Sequence, residues 1–405
     1  MVSALIHMLV FIVFCNRYFG GTLLKRIRGA KFDEAVDDYE PSVTVVVPMF
    51  NEGESIHATV DSLLGQAYPD DKLSVIVVDD CSSDDSYLWA CKAAVDAPNV
   101  TVLRNARNLG KRRSINRAVL AATSEIIVSV DSDVIVNRHA VRQLVRRFVR
   151  PEIAAVGGRV NVSNRDDNWL TRMQTIKYFY GYEYNKNIER CFRSVLCLSG
   201  CLTAYRRSVL LELHQKLENR SVMGHPIKYG EDRYLTRQIV KAGHQTVMTL
   251  DAICYTEVPR GLREYFSQQL RWRRSNLADY FGGLSHVWKL HPIVAVHYFA
   301  TSALLLAYPA LVFNALATGR FWDLAMLHLG IATVLGLVYR VQTRKLPEDE
   351  RVSALCYLSA ILVMPVTYLV LTPLALFTLD TGSWETRGEA HQPVTPGHRP
   401  DRSSP

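Results

Sequence analysis

The residues best suited to chemistry in this sequence are carboxylates set in pairs. Asp131-Ser132-Asp133 closes the apolar run Ile126-Ile127-Val128-Ser129-Val130. A run of that kind is a buried strand of a parallel sheet. Open α/β sheets bind ligands at the carboxyl ends of such strands. Two carboxylates one residue apart at that position suit a hard divalent cation, which takes oxygen ligands and shares them with substrate phosphates. By itself the motif could also be a polar turn that caps the next helix. Asp79-Asp80 ends a second apolar run, Leu73 to Val78. An Asp there can accept from a nucleobase N–H or a ribose hydroxyl, or it can cap a helix. Glu231-Asp232 stands just before a helix expected over Tyr234 to Lys241. A carboxylate in that place can take the proton of an attacking hydroxyl, or simply favour a helix N-terminus. In Gln268-Gln269-Leu270-Arg271-Trp272-Arg273-Arg274, arginine forks match phosphate and the indole offers a face to a sugar or cation. A basic stripe at a membrane surface is the alternative there.

These motifs need elements to carry them. The pattern predicts strands at Val43 to Val47, Leu73 to Val78, Val100 to Leu103, Ile126 to Val130 and Ala154 to Val162. Helices are predicted at Ser55 to Gln66, on to about Ala97, Arg112 to Ala122 and Arg138 to Phe148, the last with a basic face. The loops Pro48 to Glu54 and Asn108 to Lys111 join them. Strands and helices that alternate through short links give a parallel, doubly wound α/β sheet with right-handed crossovers. Asn168 to Arg193 reads as one long helix with an aromatic cluster at Tyr178, Phe179, Tyr180, Tyr182 and Tyr184. That cluster is either packing, or a sugar platform or membrane-interface seat, since tyrosine joins an apolar ring to a polar tip.

Three apolar segments, 294–317, 321–339 and 352–379, follow near the end, the last holding Pro365 and Pro373. Their lengths fit bilayer spans. An apolar stretch also opens the chain. Read through Leu24 it crosses, and read to Cys15 alone it is an interfacial anchor. Its charges, Arg17, Lys25, Arg26 and Arg28, come after the apolar run, the reverse of a signal peptide. The basic loop holding Arg340, Arg344, Lys345 and Arg351 is expected on the cytoplasmic side. The expected organisation is a membrane helix over 1–24, a linker over 25–40, a cytosolic domain over 41–255 and an interfacial segment over 256–293. Three membrane helices over 294–380 and a disordered tail over 381–405 complete it. That makes about four spans, with residues 20–290 inside and both termini outside.

The chain has 405 residues, 48% hydrophobic and 21% charged, with net charge +8. The basic residues come in blocks, which fits anionic lipid plus a phosphorylated substrate. No zinc-finger spacing or RNA-binding signature accompanies them, so nucleic acid is excluded as a partner. The eight cysteines form no C-x-x-C pair and read as reduced, buried thiols on a cytosolic face.

In order along the chain stand Val-Pro-Met-Phe-Asn-Glu (47–52), Val-Val-Asp-Asp (77–80), Asn-Leu-Gly-Lys-Arg (108–112), Asp-Ser-Asp (131–133), Ser-Gly-Cys-Leu-Thr-Ala-Tyr-Arg (199–206), Gly-Glu-Asp-Arg (230–233) and Gln-Gln-Leu-Arg-Trp (268–272). Together they resemble the processive, membrane-embedded members of the inverting family 2 glycosyltransferases, over about residues 41–380. Within these the sequence is most similar to the hyaluronan synthase and rhizobial chitooligosaccharide synthase group. The resemblance implies a GT-A-type, mostly parallel sheet inserted between membrane helices. It implies a hexosyltransferase that polymerises an N-acetylglucosamine-containing glycan at the plasma membrane from UDP-N-acetylglucosamine, with or without UDP-glucuronate.

Carried over by that resemblance, Asn51, Glu52, Asp80, Lys111, Asp131 and Arg271 would bind the donor, with Arg271 on its diphosphate. Asp131 and Asp133 would hold Mg²⁺ or Mn²⁺. Asp232 would be the general base. Ser199, Gly200, Cys201, Gln268 and Trp272 would serve the acceptor end of the growing chain. Residues 199–201 depart from the Gly-Pro often carried near there, which bears on acceptor choice. A membrane-anchored transferase that adds a single sugar to a lipid or other acceptor is the competing expectation.

Overall fold

The computed structural model describes residues 34–379 apart from 223, 224, 228 and 347–350, with positions 8, 12, 23 and 27 ahead of them. Apart from positions 8, 12 and 23, the expected helix over 1–24 lies outside the described residues, as do the tail over 381–405 and the side chain of Tyr184.

The first half follows the expected alternation: β1 (Val43–Met49), α1 (Ser55–Leu64), β2 (Leu73–Asp79), α2 (Ser86–Ala94), β3 (Val100–Arg104), α3 (Lys111–Ala121), β4 (Ile126–Val130), β5 (Ile135–Val136), α4 (Ala140–Val145) and β6 (Ile153–Val162). Then come α5 (Trp169–Tyr180), α6 (Asn187–Arg190), β7 (Leu202–Arg206), α7 (Arg207–Glu218), the small pair β8 (Ser221–Val222) and β9 (His225–Pro226), α8 (Glu231–Lys241), β10 (Gln245–Thr256) and α9 (Leu262–Gly283). Eight of the strands form one sheet in the order β3-β2-β1-β4-β7-β6-β10-β5, and β8 pairs with β9 apart from it. The run from β3 to β4 is parallel. β1 is buried along its whole length, which is why Val-Thr-Val-Val-Val reads as an unbroken apolar run rather than an alternating one.

Four features differ from expectation. β7 runs antiparallel to both β4 and β6, so the sheet is mixed. β10 and α7 were not picked out. β10 carries Asp251 and a register irregularity between Met248 and Ile253, and such a break obscures the two-residue period. The long helix expected to Arg193 is interrupted. Asn168 caps α5 by accepting from Leu170 N (2.9 Å) and Thr171 N (3.1 Å). From Gly181 to Lys186 the backbone then widens to a π-helix, a feature common at functional sites. Finally, α8 begins at Glu231, so the acidic pair lies inside the first turn instead of ahead of it.

The acidic linker is docked on the basic face of α4 and the residues after it. Arg142 pairs with Glu40 (2.7 Å), Arg146 with Asp37 and Arg150 with Glu34 (3.2 Å). Each exposed pair contributes little, but together they neutralise much of that basic block.

Beyond α9, α10 (Pro292–Ala317) and α11 (Phe321–Gln342) are followed by a 3-10 turn (Ala354–Ser359) that leads into α12 (Ala360–Leu369) and α13 (Leu371–Phe377). Three helical stretches, Pro292–Ala317, Phe321–Gln342 and Ala354–Phe377, are long and apolar enough to cross a bilayer. The third starts against α5, where Tyr180 and Tyr357 rings lie 5.9 Å apart. Its end also meets the catalytic domain: Tyr229 Oη donates to Leu379 O (2.7 Å) and Arg274 Nε to Thr378 Oγ1 (3.0 Å).

Candidate active site

The parallel order sets the loops after β1, β2 and β4 side by side. Asp80, just past β2 and fully buried, accepts from Asn105 Nδ2 (2.7 Å), Leu109 N (2.9 Å) and Gly110 N (2.7 Å). Its carboxylate therefore shapes the loop that opens α3, where Gly110 takes φ +86°. Asp79 is equally buried, accepting from Ser82 N (3.0 Å) and pairing with Arg104 Nε (3.0 Å). Asn51, at φ +53°, accepts from Ser83 N (2.9 Å). Glu52 Oε1 accepts from Ser132 Oγ (2.9 Å), which ties the β1 loop to the Asp131-Ser132-Asp133 turn.

Lys111 holds the centre. Its Nζ lies 2.6 Å from Asp131 Oδ1 and 2.8 Å from Glu231 Oε1. Burial would lower the amine's pKa, but the two carboxylates outweigh it and hold the group well above its usual value. Burial alone would push Glu231 up; Lys111 pulls it below the usual carboxylate range. The sequence carried a sign of this bridge. A lysine in the first turn of a helix faces the positive end of the helix dipole, so a Lys111 retained there needs anions opposite. Gly200 closes over the bridge: a Cβ at that position would stand 3.1 Å from Lys111 Nζ and 3.3 Å from Asp131 Oδ1.

The start of α8 depends on Gly230, left-handed at φ +66°, where a side chain would also land on the Ser275 hydroxyl of α9. Gly230→Ala is therefore expected to lower the melting temperature and to uncouple α8 from α9, with activity falling more than donor affinity. A thermal scan and steady-state kinetics check this. Asp232 Oδ1 accepts from Arg233 N (2.7 Å), and no protein partner takes Oδ2 among the described residues. Burial, then the neighbouring Glu231, raises the Asp232 pKa above the usual carboxylate value.

On the other side of the site stand aromatic rings. Tyr178 stacks with Tyr182 at 6.5 Å and meets Trp272 at 6.4 Å, and Trp272 is 39% exposed. Lys177 braces this face from α5 to α9, donating to Tyr265 Oη (2.7 Å) and Gln269 Oε1 (3.2 Å). Gln268 Oε1 is buried with no hydrogen-bond partner among the described residues, and Arg271 is half-buried beside Trp272. Two arginines of the run serve packing: Arg273 lies 4.4 Å from the Tyr368 ring centre, and Arg274 reaches Thr378. Ser199 Oγ accepts from Cys201 N (3.3 Å). The seven cysteines of the described residues are free thiols, and burial pushes Cys197 up to about 11.

Asp131 and Asp133 offer oxygen donors only and are half-buried. Among the described residues no group of three or more His, Cys, Asp or Glu side chains forms a ready metal cage. The donor set fits a hard cation that completes its shell with phosphate oxygens and water.

A family model described as Glycosyltransferase like family 2 matches residues 41–275. An N-acetylglucosaminyltransferase from Rhizobium meliloti (strain 1021) is 30% identical over 380 residues, 88% of this chain and 84% of that one. One from Bradyrhizobium diazoefficiens is 32% identical over 374 residues, 89% of this chain and 74% of that one. One from Rhizobium sp. (strain N33) is 36% identical over 252 residues, 62% of this chain, but the match spans little more than half (56%) of the relative's length. Among solved structures, the mannosyltransferase PcManGT from Pyrobaculum calidifontis, in complex with GDP-Man and Mn²⁺, aligns with a TM-score of 0.59. It is 24% identical and is covered over 99% of its length and 90% of this chain, a likeness of fold. With the matched span holding the strand-end carboxylates, the Lys111 bridge and the start of α9, the chain belongs to glycosyltransferase family 2 and is a hexosyltransferase.

Proposed function

We propose that this enzyme polymerises an N-acetylglucosamine-containing glycan from UDP-sugars at a membrane, by inverting transfer with Asp232 as general base. The observation that carries this is the Asp131–Lys111–Glu231 bridge. It ties the Asp131-Ser132-Asp133 turn to the first turn of α8, where Asp232 follows Glu231. The names of the rhizobial relatives support N-acetylglucosamine as the sugar transferred.

In this mechanism the acceptor hydroxyl attacks the anomeric carbon in line as the bond to the diphosphate breaks. Asp232 Oδ2 takes the hydroxyl proton, and one displacement turns an α-linked donor into a β-linkage without a covalent intermediate. Charge then develops on the leaving diphosphate, where Lys111 and Arg271 supply fixed positive groups. Asp131 and Asp133 would hold Mg²⁺ or Mn²⁺, which adds Lewis-acid stabilisation of that charge. Asn51 and Glu52 shape the nucleoside side, with Asp80 acting through the 108–110 loop. Ser199, Gly200, Cys201, Gln268 and Trp272 hold the acceptor sugar. The apolar helices beyond α9 give a polar chain a protein-lined route at the bilayer, with the catalytic domain on the cytoplasmic side.

The test is UDP release by protein in vesicles with Mg²⁺ or Mn²⁺, first with UDP-N-acetylglucosamine alone and then with UDP-glucuronate added, with the product sized. A chitinase-sensitive ladder from the single donor is the expected result. A strict need for both donors would make the product hyaluronan-type. A single-sugar adduct from either mixture would overturn polymerisation.

A further inference from the structure

Behind the first turn of α8 lies a second charged cluster that the transfer chemistry does not use. Its centre is Asp279 of α9, only 5% exposed. Arg237 Nη1 lies 3.1 Å from Asp279 Oδ1 and donates to Asp279 O at 2.8 Å. Arg220 Nη1 donates to the carbonyls of Tyr229 (2.5 Å) and Gly230 (2.8 Å), the two residues that lead into Glu231-Asp232. The Arg220 and Arg237 guanidinium groups face the same ring, Tyr234, at 4.7 and 5.2 Å. Gly282, one turn beyond Asp279, has no room for a Cβ because the Arg237 guanidinium fills the space. Arg233, next to Asp232, also lies within electrostatic reach of Asp279. One buried carboxylate thus serves three arginines, and it stands two turns along the helix that carries Gln268, Arg271 and Trp272.

We propose that Asp279 is a positioning residue for the transfer step. It gathers Arg220 and Arg237 behind α8 and shares Arg233 with Asp232, so that Asp232 meets an acceptor held by α9 without carrying the Arg233 charge alone. The proposal rests on Asp232 as the base. Two consequences follow from charge and distance. First, Asp279 locks α8 to α9, so the spacing between base and acceptor platform is fixed by one ion cluster. Second, Asp279 balances cations that would otherwise act on Asp232. The charged and titratable groups around Asp232 are Glu231, Lys111, Arg233, Lys186 and Cys197, with Tyr205 on β7 and Asp279 on α9. Those around Asp279 are the three arginines, Asp232, Cys197 and Tyr298 of α10, with His286 behind Arg237.

The test is the Asp279→Asn variant, which keeps shape and removes charge. The expected result is a kcat lower by about 10- to 100-fold, the scale of a misplaced reacting group, with KM for the UDP-sugar unchanged. The acid limb of the kcat–pH profile should also move to lower pH, because the freed arginines favour ionised Asp232. The double variant Asp279→Asn/Arg233→Gln removes one freed cation together with the carboxylate, so the limb should return toward its wild-type position. The double variant also gives the readout if the single one folds poorly. An acid limb that stays in place in both variants would overturn the proposal, since a purely structural ion cluster changes stability without moving it. Turnover that survives Asp232→Asn would instead remove the base assignment, a different failure.

Discussion

Asp232→Asn will lower kcat by about 10²- to 10⁴-fold, the usual worth of a positioned general base, and leave UDP-sugar binding intact. The amide can still accept from Arg233 N through its oxygen, so α8 keeps its first turn. What is lost is the acceptor at Oδ2, the atom with no protein partner among the described residues. The pH dependence follows in sign. A base works deprotonated, so activity falls as pH drops through the Asp232 pKa. Burial and Glu231 raise that pKa, so the acid limb should lie above the ordinary aspartate value of about 3.9. UDP release across pH, together with donor titration of the variant, makes the check. Turnover within a few-fold of wild type would end the assignment.

Lys111→Met should be the most destabilising single change in the cleft. It would leave Asp131 and Glu231, both half-buried, facing one another without the cation between them. Removing one partner of a buried pair costs about 3–5 kcal/mol. A second substitution, Glu231→Gln, removes one of the stranded charges and should recover part of the loss. The pH window has two edges. The Glu231 contribution is complete above the unfolded carboxylate pKa and is lost as pH falls through its lowered folded value. The Lys111 contribution is complete below the unfolded amine pKa and is lost as pH rises through its raised folded value. Thermal unfolding of the purified variants, read against pH, measures both. A Lys111→Met protein as stable as wild type would show that the bridge does not hold the cleft together.

The donor half of the fold was legible because its signals are local. Val43 to Val47 and Ile126 to Val130 are unbroken β-branched runs, and each ends at a polar turn within a few residues. The acceptor half was not. β7 pairs antiparallel between strands far apart in sequence, and nothing in Leu-Thr-Ala-Tyr-Arg tells which neighbour it will take. Asp80 shows the same limit at one residue. Its place at a strand end was plain, but its three internal donors come from Asn105, Leu109 and Gly110, and only the folded loop brings them together. Glu231 was seen as half of an acidic pair, whereas its partnership with Lys111 spans more than a hundred residues. The basic blocks show a related limit. Composition counts charge, but Glu34, Asp37 and Glu40 cancel the α4 block in space, and Arg273 and Arg274 are taken up by packing.

The antiparallel set of β7 has a consequence for how such a chain can change over generations. β6 runs to the cleft rim, Leu202 at the start of β7 pairs with Val130 at the end of β4, and Thr256 ends β10 beside Val162. Residues 163–201 therefore leave and rejoin the sheet at one rim, and α9 hangs from the same rim. Both excursions attach outside the parallel run from β3 to β4, so insertions or deletions within them are expected to leave in place the strand ends that carry Asp80 and Asp131.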